Sequence, residues 1–194
     1  MYQMPVQIAA KTHHFTDPTG LLSDCHRRID TFLSTLAAVA DVLDQPISEH
    51  TARSLQAALQ YFREAAPKHT ADEEESLFPR LRERDNPEVV SALRALDELE
   101  RDHDTVSPLH AEVERLGAQY LAMGSLSASD CDTFRTAVKK LQSMYADHIR
   151  VEDTVIFPLA ARVLSQEEKT VIAGEMAGRR NVSLTPNGAQ NGQS

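Results

Sequence analysis

Apolar positions recur at helical spacing along four long runs of this chain. The first opens at Asp17–Pro18, a capping carboxylate followed by proline at the first helical position. Leu22, Ile29, Leu33 and Leu36 then carry the pattern to about residue 43. Pro46 and Ser48 mark a turn. A second helix is predicted over 49–84, with Leu55, Leu59, Leu77 and Leu81 facing inward. Pro67 and Pro79 lie inside it and predict a kink or local break at each. Asp85-Asn86-Pro87 reads as a turn. A third helix runs from Glu88 to about Met123, where Gly124 suits its end. The fourth, capped by Ser127 or Ser129, runs to about Leu164. Ser165 and Glu168 have capping-box spacing and predict a short fifth helix to about residue 178.

Four long helices with short connections predict an all-α fold: an up-down-up-down four-helix bundle over residues 17–164 with a short extra C-terminal helix. Residues 1–16 lack periodicity and read as an arm on the surface or a disordered lead. Residues 165–194 are expected to hold the short helix and a polar, disordered tail.

Composition narrows the function. The chain has 194 residues, with 20 Lys and Arg against 29 Asp and Glu, a net charge of −9. It gathers no basic stripe, which argues against a nucleic-acid partner. Cys25 and Cys131 form no CxxC pair, so neither a disulfide framework nor a zinc knuckle is indicated. No signal peptide or run of 18 apolar residues is present, so the expectation is a cytoplasmic protein with no membrane partner.

The chemistry lies in a duplicated pattern. His69 and His148, Glu73 and Glu152, Phe78 and Phe157, and Pro79 and Pro158 each stand 79 residues apart, and His26 and His103 precede the two copies, 77 apart. Histidine and glutamate four apart share one helix face. In an up-down bundle, the starts of helices 1 and 3 and the ends of 2 and 4 meet at one end. At a rise of about 1.5 Å per residue, His26, His69, Glu73, His103, His148 and Glu152 all fall about 13 to 23 Å from that end. One level of the bundle can hold all six, and leaving them buried without a metal would be costly.

Imidazole suits Zn, Cu, Fe and Ni, and carboxylates can bridge two metals. Four histidines and two carboxylates make an odd set for one tetrahedral zinc but a natural one for two irons. Each iron takes two histidines, while Glu73 and Glu152 bridge them alongside an oxo or hydroxo group. One position then stays exchangeable for a diatomic or peroxide ligand. A ferritin-like site needs Glu-x-x-His on two helices. Here Glu100–His103 supplies one, and Tyr145 stands where the second glutamate belongs.

The order His26, His69-x-x-x-Glu73, His103, His148-x-x-x-Glu152, with Phe-Pro after both copies, resembles the hemerythrin-like HHE family over residues 17 to about 164. The resemblance implies a four-helix bundle with a carboxylate-bridged non-haem di-iron centre. His26 and His69 would serve one iron, His103 and His148 the other, with Glu73 and Glu152 between. Oxygen-carrying members have a further histidine four residues after the one on helix 3, where this chain has Ser107. Their reversible O2 carriage is therefore not expected here; a more open centre is, with Glu74, Tyr145 or water to take up the position.

The expected function is a di-iron protein that senses or handles O2, NO, peroxide or iron. The alternatives are a di-iron enzyme consuming peroxide or oxidising a small substrate, and a store for zinc or manganese. Asp72, Glu74, Glu75 and Asp153 read as a solvated acidic face, Cys25 as a small buried residue, and His13, His14 and His50 as surface residues. Tyr145 reads as core packing or a hydrogen bond near the centre. Phe78-Pro79 and Phe157-Pro158 read as structural, each ring packing one turn beyond the ligands and each proline bending its helix.

Overall fold

A computed structural model describes residues 13–184. The arm over residues 1–12 and the tail over 185–194 lie outside the described residues. Four helical arms pack as a closed ring, first against second, second against third, third against fourth and fourth against first. This is the predicted bundle. The first arm is α1 (Pro18–Ala40). The second comprises α2 (Glu49–Glu64), α3 (Ala66–Ala71), a π-helical turn (Asp72–Leu77) and α4 (Phe78–Arg82). The third is α5 (Pro87–Met123). The fourth comprises α6 (Ala128–Val151), a π-helical turn (Glu152–Ile156) and α7 (Phe157–Val163), and α8 (Gln166–Arg179) follows.

The caps follow the local chemistry. Asp17 accepts from the Gly20 amide, and Ser48 and Ser127 accept from the third residue of their helices, which settles the fourth cap on Ser127. Gly124 ends α5 at φ 75°, a left-handed conformation that favours glycine. Ser165 and Glu168 close the predicted capping box at the start of α8.

The second arm departs from the predicted continuous helix. It breaks at Ala65, two residues ahead of Pro67, because Pro67 lacks an N–H for the Arg63 carbonyl and its ring crowds that carbonyl. Ahead of Pro79 the backbone widens instead of kinking. The Phe78 amide bonds the Glu73 carbonyl five residues back, and the Phe157 amide bonds the Glu152 carbonyl in the same way. Each duplicated Phe-Pro thus closes a π-helical turn, and each turn contains the glutamate of its copy. Such turns are frequent at functional sites.

Two apolar clusters fill the interior. One gathers Leu22, Leu77, Phe78, Leu96 and Phe157 at one end, together with Ile172 and Met176 of α8. The other gathers Ile29, Leu36, Leu59, Leu116 and Phe134 toward the opposite end. Buried His26, His69, Glu73, His148 and Glu152 belong to neither cluster. α8 is tied down by Asp72, whose fully buried carboxylate meets Arg179 at 3.0 Å and Arg180 at 2.6 Å. Arg80 adds a pair to Glu175 at 2.8 Å. Asp72 is therefore no part of a solvated face, which corrects that expectation.

Candidate metal centre

All six predicted residues converge at one level. α1 supplies His26, α3 His69, α5 His103 and α6 His148, while the two π-helical turns supply Glu73 and Glu152. The imidazoles form two pairs: the His26 and His69 rings lie 4.9 Å apart, and those of His103 and His148 4.7 Å apart. Each glutamate reaches across both. Glu73 sets Oε1 3.2 Å from His69 Nε2 and Oε2 3.7 Å from His103 Nε2. Glu152 sets Oε2 3.1 Å from His26 Nε2 and Oε1 3.3 Å from His148 Nε2.

Despite these distances, all four carboxylate oxygens and His26 Nε2 are buried without a properly aligned hydrogen bond. Donor atoms that approach closely without bonding one another are aimed at shared points between them. His26, His69, Glu73 and Glu152 surround one such point, and Glu73, His103, His148 and Glu152 the other, each set with ligand atoms within 4.8 Å of one another. The donor set fits two metal ions sharing both carboxylates.

Behind the imidazoles stand further carboxylates. Asp153 Oδ1 lies 3.1 Å from His26 Nδ1 and also accepts from Ser23 Oγ at 2.7 Å. Glu74 Oε1 lies 2.7 Å from His103 Nδ1, and Asp102 stands 3.5 Å from His148 Nδ1. Phe157 stacks on His26 with centroids 5.2 Å apart, which bears out its structural reading. Reading Glu74 and Asp153 as solvated missed their role. The missed signal was in the repeat itself, since Glu74 and Asp153 are also 79 apart and each follows its copy's glutamate. The contacts cross between halves: the carboxylate of one copy holds the leading histidine of the other. Glu75 is exposed and pairs with Arg179 at 2.9 Å.

Burial dominates the electrostatics. It raises the Glu73 carboxyl well above the usual carboxylate range, and the Glu152 charge beside it adds to the effect. Burial works the same way on Glu152, yet His148 and His26 outweigh it and hold Glu152 ionised. Burial alone would lower His26, but Asp153 and Glu152 bring it up to about 9. Burial and the His26 charge push His69 well down. Without metal, the cluster thus balances its charge by holding protons, and those protons must leave as metal enters.

Ser107 is exposed. His110 lies off the ligand level, with Nε2 2.9 Å from the Tyr145 hydroxyl. Glu74 is engaged at the outer nitrogen of His103, whereas Tyr145 borders a cavity beside the imidazoles. That cavity, of about 10 Å³ with room for about one water-sized molecule, touches all four imidazoles and neither glutamate. Cys25 is buried as expected. His14 and His50 are exposed, whereas His13 is half-buried with Nδ1 3.1 Å from Asp24.

No helix among the described residues is long and apolar enough to cross a membrane. A protein of Haemophilus influenzae described as an uncharacterized protein is 27% identical over 169 residues, covering 87% of this chain and 92% of its own length. The model of the hemerythrin HHE cation-binding domain matches residues 17–160. That match spans the first three arms, the fourth as far as Ala160, and every histidine and glutamate of the cluster, and the chain belongs to the hemerythrin HHE cation-binding domain family.

Proposed function

We propose that the protein holds two non-haem iron ions, bridged by Glu73, Glu152 and an oxo or hydroxo group, and uses them to sense or handle O2, NO, peroxide or iron itself. One observation carries this reading: each buried glutamate, lacking any hydrogen bond, turns one oxygen toward each imidazole pair. His26 and His69 hold one position, and His103 and His148 the other. Iron in this set would supply a redox-active position for a small ligand. Asp153 and Glu74 keep the ligating nitrogens of His26 and His103 aimed inward. The apolar cluster behind Phe157 excludes bulk water from the carboxylate side, and the small cavity limits what reaches the imidazoles.

A second reading, an enzyme that consumes peroxide or oxidises a small substrate, is favoured by the contact of that cavity with both imidazole pairs. Peroxide turnover abolished by Glu152→Ala would support it, whereas stable ligand binding without turnover counts against it. The deciding experiment is metal content with the ultraviolet–visible spectrum of protein from iron-replete cells, beside His69→Ala. The expected outcome is about two irons per chain with oxo-bridged charge-transfer bands that the variant loses. A single zinc indifferent to the substitution, or no iron, overturns the di-iron reading. Stoichiometric manganese or zinc lost in the variant assigns the cluster to storage of that metal.

A further inference from the structure

We propose that Tyr145, backed by His110, is the hydrogen-bonding partner of the small ligand that enters the cavity beside the four imidazoles, and that the pair favours a ligand whose outer atom carries negative charge. This rests on the reading of the cluster as a metal centre. The cavity is lined by His26, His69, His103 and His148. Ile29, Ala66 and Ile149 supply its apolar lining, and Thr70 and Tyr145 are its other polar members. Tyr145 also lines a second small cavity, against Asp102, Val106 and Met144, on the His103–His148 side. It therefore borders both cavities, as do His103 and His148.

Packing fixes the phenol. Phe62 lies 6.4 Å from the Tyr145 ring and 4.7 Å from the His110 ring, so the three aromatic groups form one block. The Tyr145 hydroxyl sits 2.9 Å from His110 Nε2. Burial keeps His110 neutral near pH 7. A neutral imidazole is either donor or acceptor at Nε2, depending on its tautomer. With the proton on Nε2, His110 donates to the phenolic oxygen, and the phenolic O–H is free to donate to a ligand in the cavity that Tyr145 lines. An anionic outer atom selects that tautomer, because it accepts the O–H in a buried cavity where a charge-assisted hydrogen bond is strong. A neutral ligand with no acceptor leaves the phenol bonded to His110 and gains nothing. The pair thus discriminates by charge where the cavity discriminates by size.

Cyanide, a diatomic anion, added to the iron-loaded oxidised protein tests this. Iron content is measured in every sample, and binding is followed by equilibrium titration and by the C–N infrared band in H2O and D2O. Wild-type protein is expected to show a band that shifts on deuteration. Tyr145→Phe, which keeps the ring and its packing, is expected to keep the iron, weaken cyanide about tenfold and abolish the deuteration shift. His110→Phe is expected to retain a weaker shift, and Thr70→Val to leave affinity and shift unchanged. Tyr145→Phe with full iron, unaltered affinity and an unaltered shift overturns the proposal while the metal reading stands. Loss of the shift in Thr70→Val alone also overturns it. Wild-type protein that takes up no iron removes both.

Discussion

Glu74 and Asp153 show how a single side chain can orient an imidazole of the cluster. Each stands behind one imidazole, at 2.7 Å from His103 and 3.1 Å from His26, and fixes which ring nitrogen turns inward. Removing such an outer carboxylate typically costs metal affinity by about 10- to 100-fold. Glu74→Ala and Asp153→Ala are each expected to fall in that range in a chelator competition, with the helical content unchanged. His110 makes a separate prediction. Burial lowers it from 6.5 to about 4, so the unfolded chain takes up its proton first as pH falls. Its contribution to stability is whole above about pH 6.5 and is lost between there and pH 4, roughly 3 kcal/mol in all. Urea unfolding of metal-free protein at pH 7 and pH 4.5 is expected to show a smaller acid loss in His110→Phe than in wild type.

At the scale of elements, proline alone did not predict what each helix does. Pro67 breaks the second arm, Pro79 and Pro158 follow π-helical turns, and α5 continues through Pro108. The difference lies in what the neighbouring backbone can bond to. Ahead of Pro79 the Phe78 amide reaches back to Glu73, and the widened turn carries that glutamate into the bundle. Pro79→Ala restores an N–H for the Glu75 carbonyl and permits an ordinary α-helical turn. The variant is expected to match or exceed wild type in stability of the metal-free form and to bind iron about tenfold more weakly, since re-registering the turn rotates Glu73. Equal iron affinity in the variant would show that the π-helical turn does not position the ligand.

Across the whole molecule, α8 packs on the turn that carries Glu73, and Asp72 is the fully buried link between them. Asp72 adjoins Glu73 and holds Arg179 and Arg180, whose side chains are about four-fifths buried. Removing one partner from a buried ion pair leaves the other charge stranded. Asp72→Ala is therefore expected to cost roughly 3 kcal/mol in denaturant unfolding of metal-free protein. A loss indistinguishable from zero would mean that α8 is held by its apolar face alone, through Ile172 and Met176.

Much of the fold and the cluster was legible in the chain. Helical periodicity and turn residues specify four arms, and short connections leave them one arrangement. A fixed offset of 79 residues marks histidine, glutamate, phenylalanine and proline at matching depths. Local pattern suffices there because helix spacing translates residue number into height and face. It does not translate number into burial or into partners on other helices. Asp72, Glu74 and Asp153 look like any solvated acidic residues in sequence, and only packing of α8, α5 and α1 against them gives each its partner. The same holds for Tyr145 and His110, which lie 35 residues apart in the chain and meet because α5 and α6 run side by side. The π-helical turns were decided by tertiary structure as well, since a proline allows several local remedies and the fit of each glutamate into the shared layer selects among them.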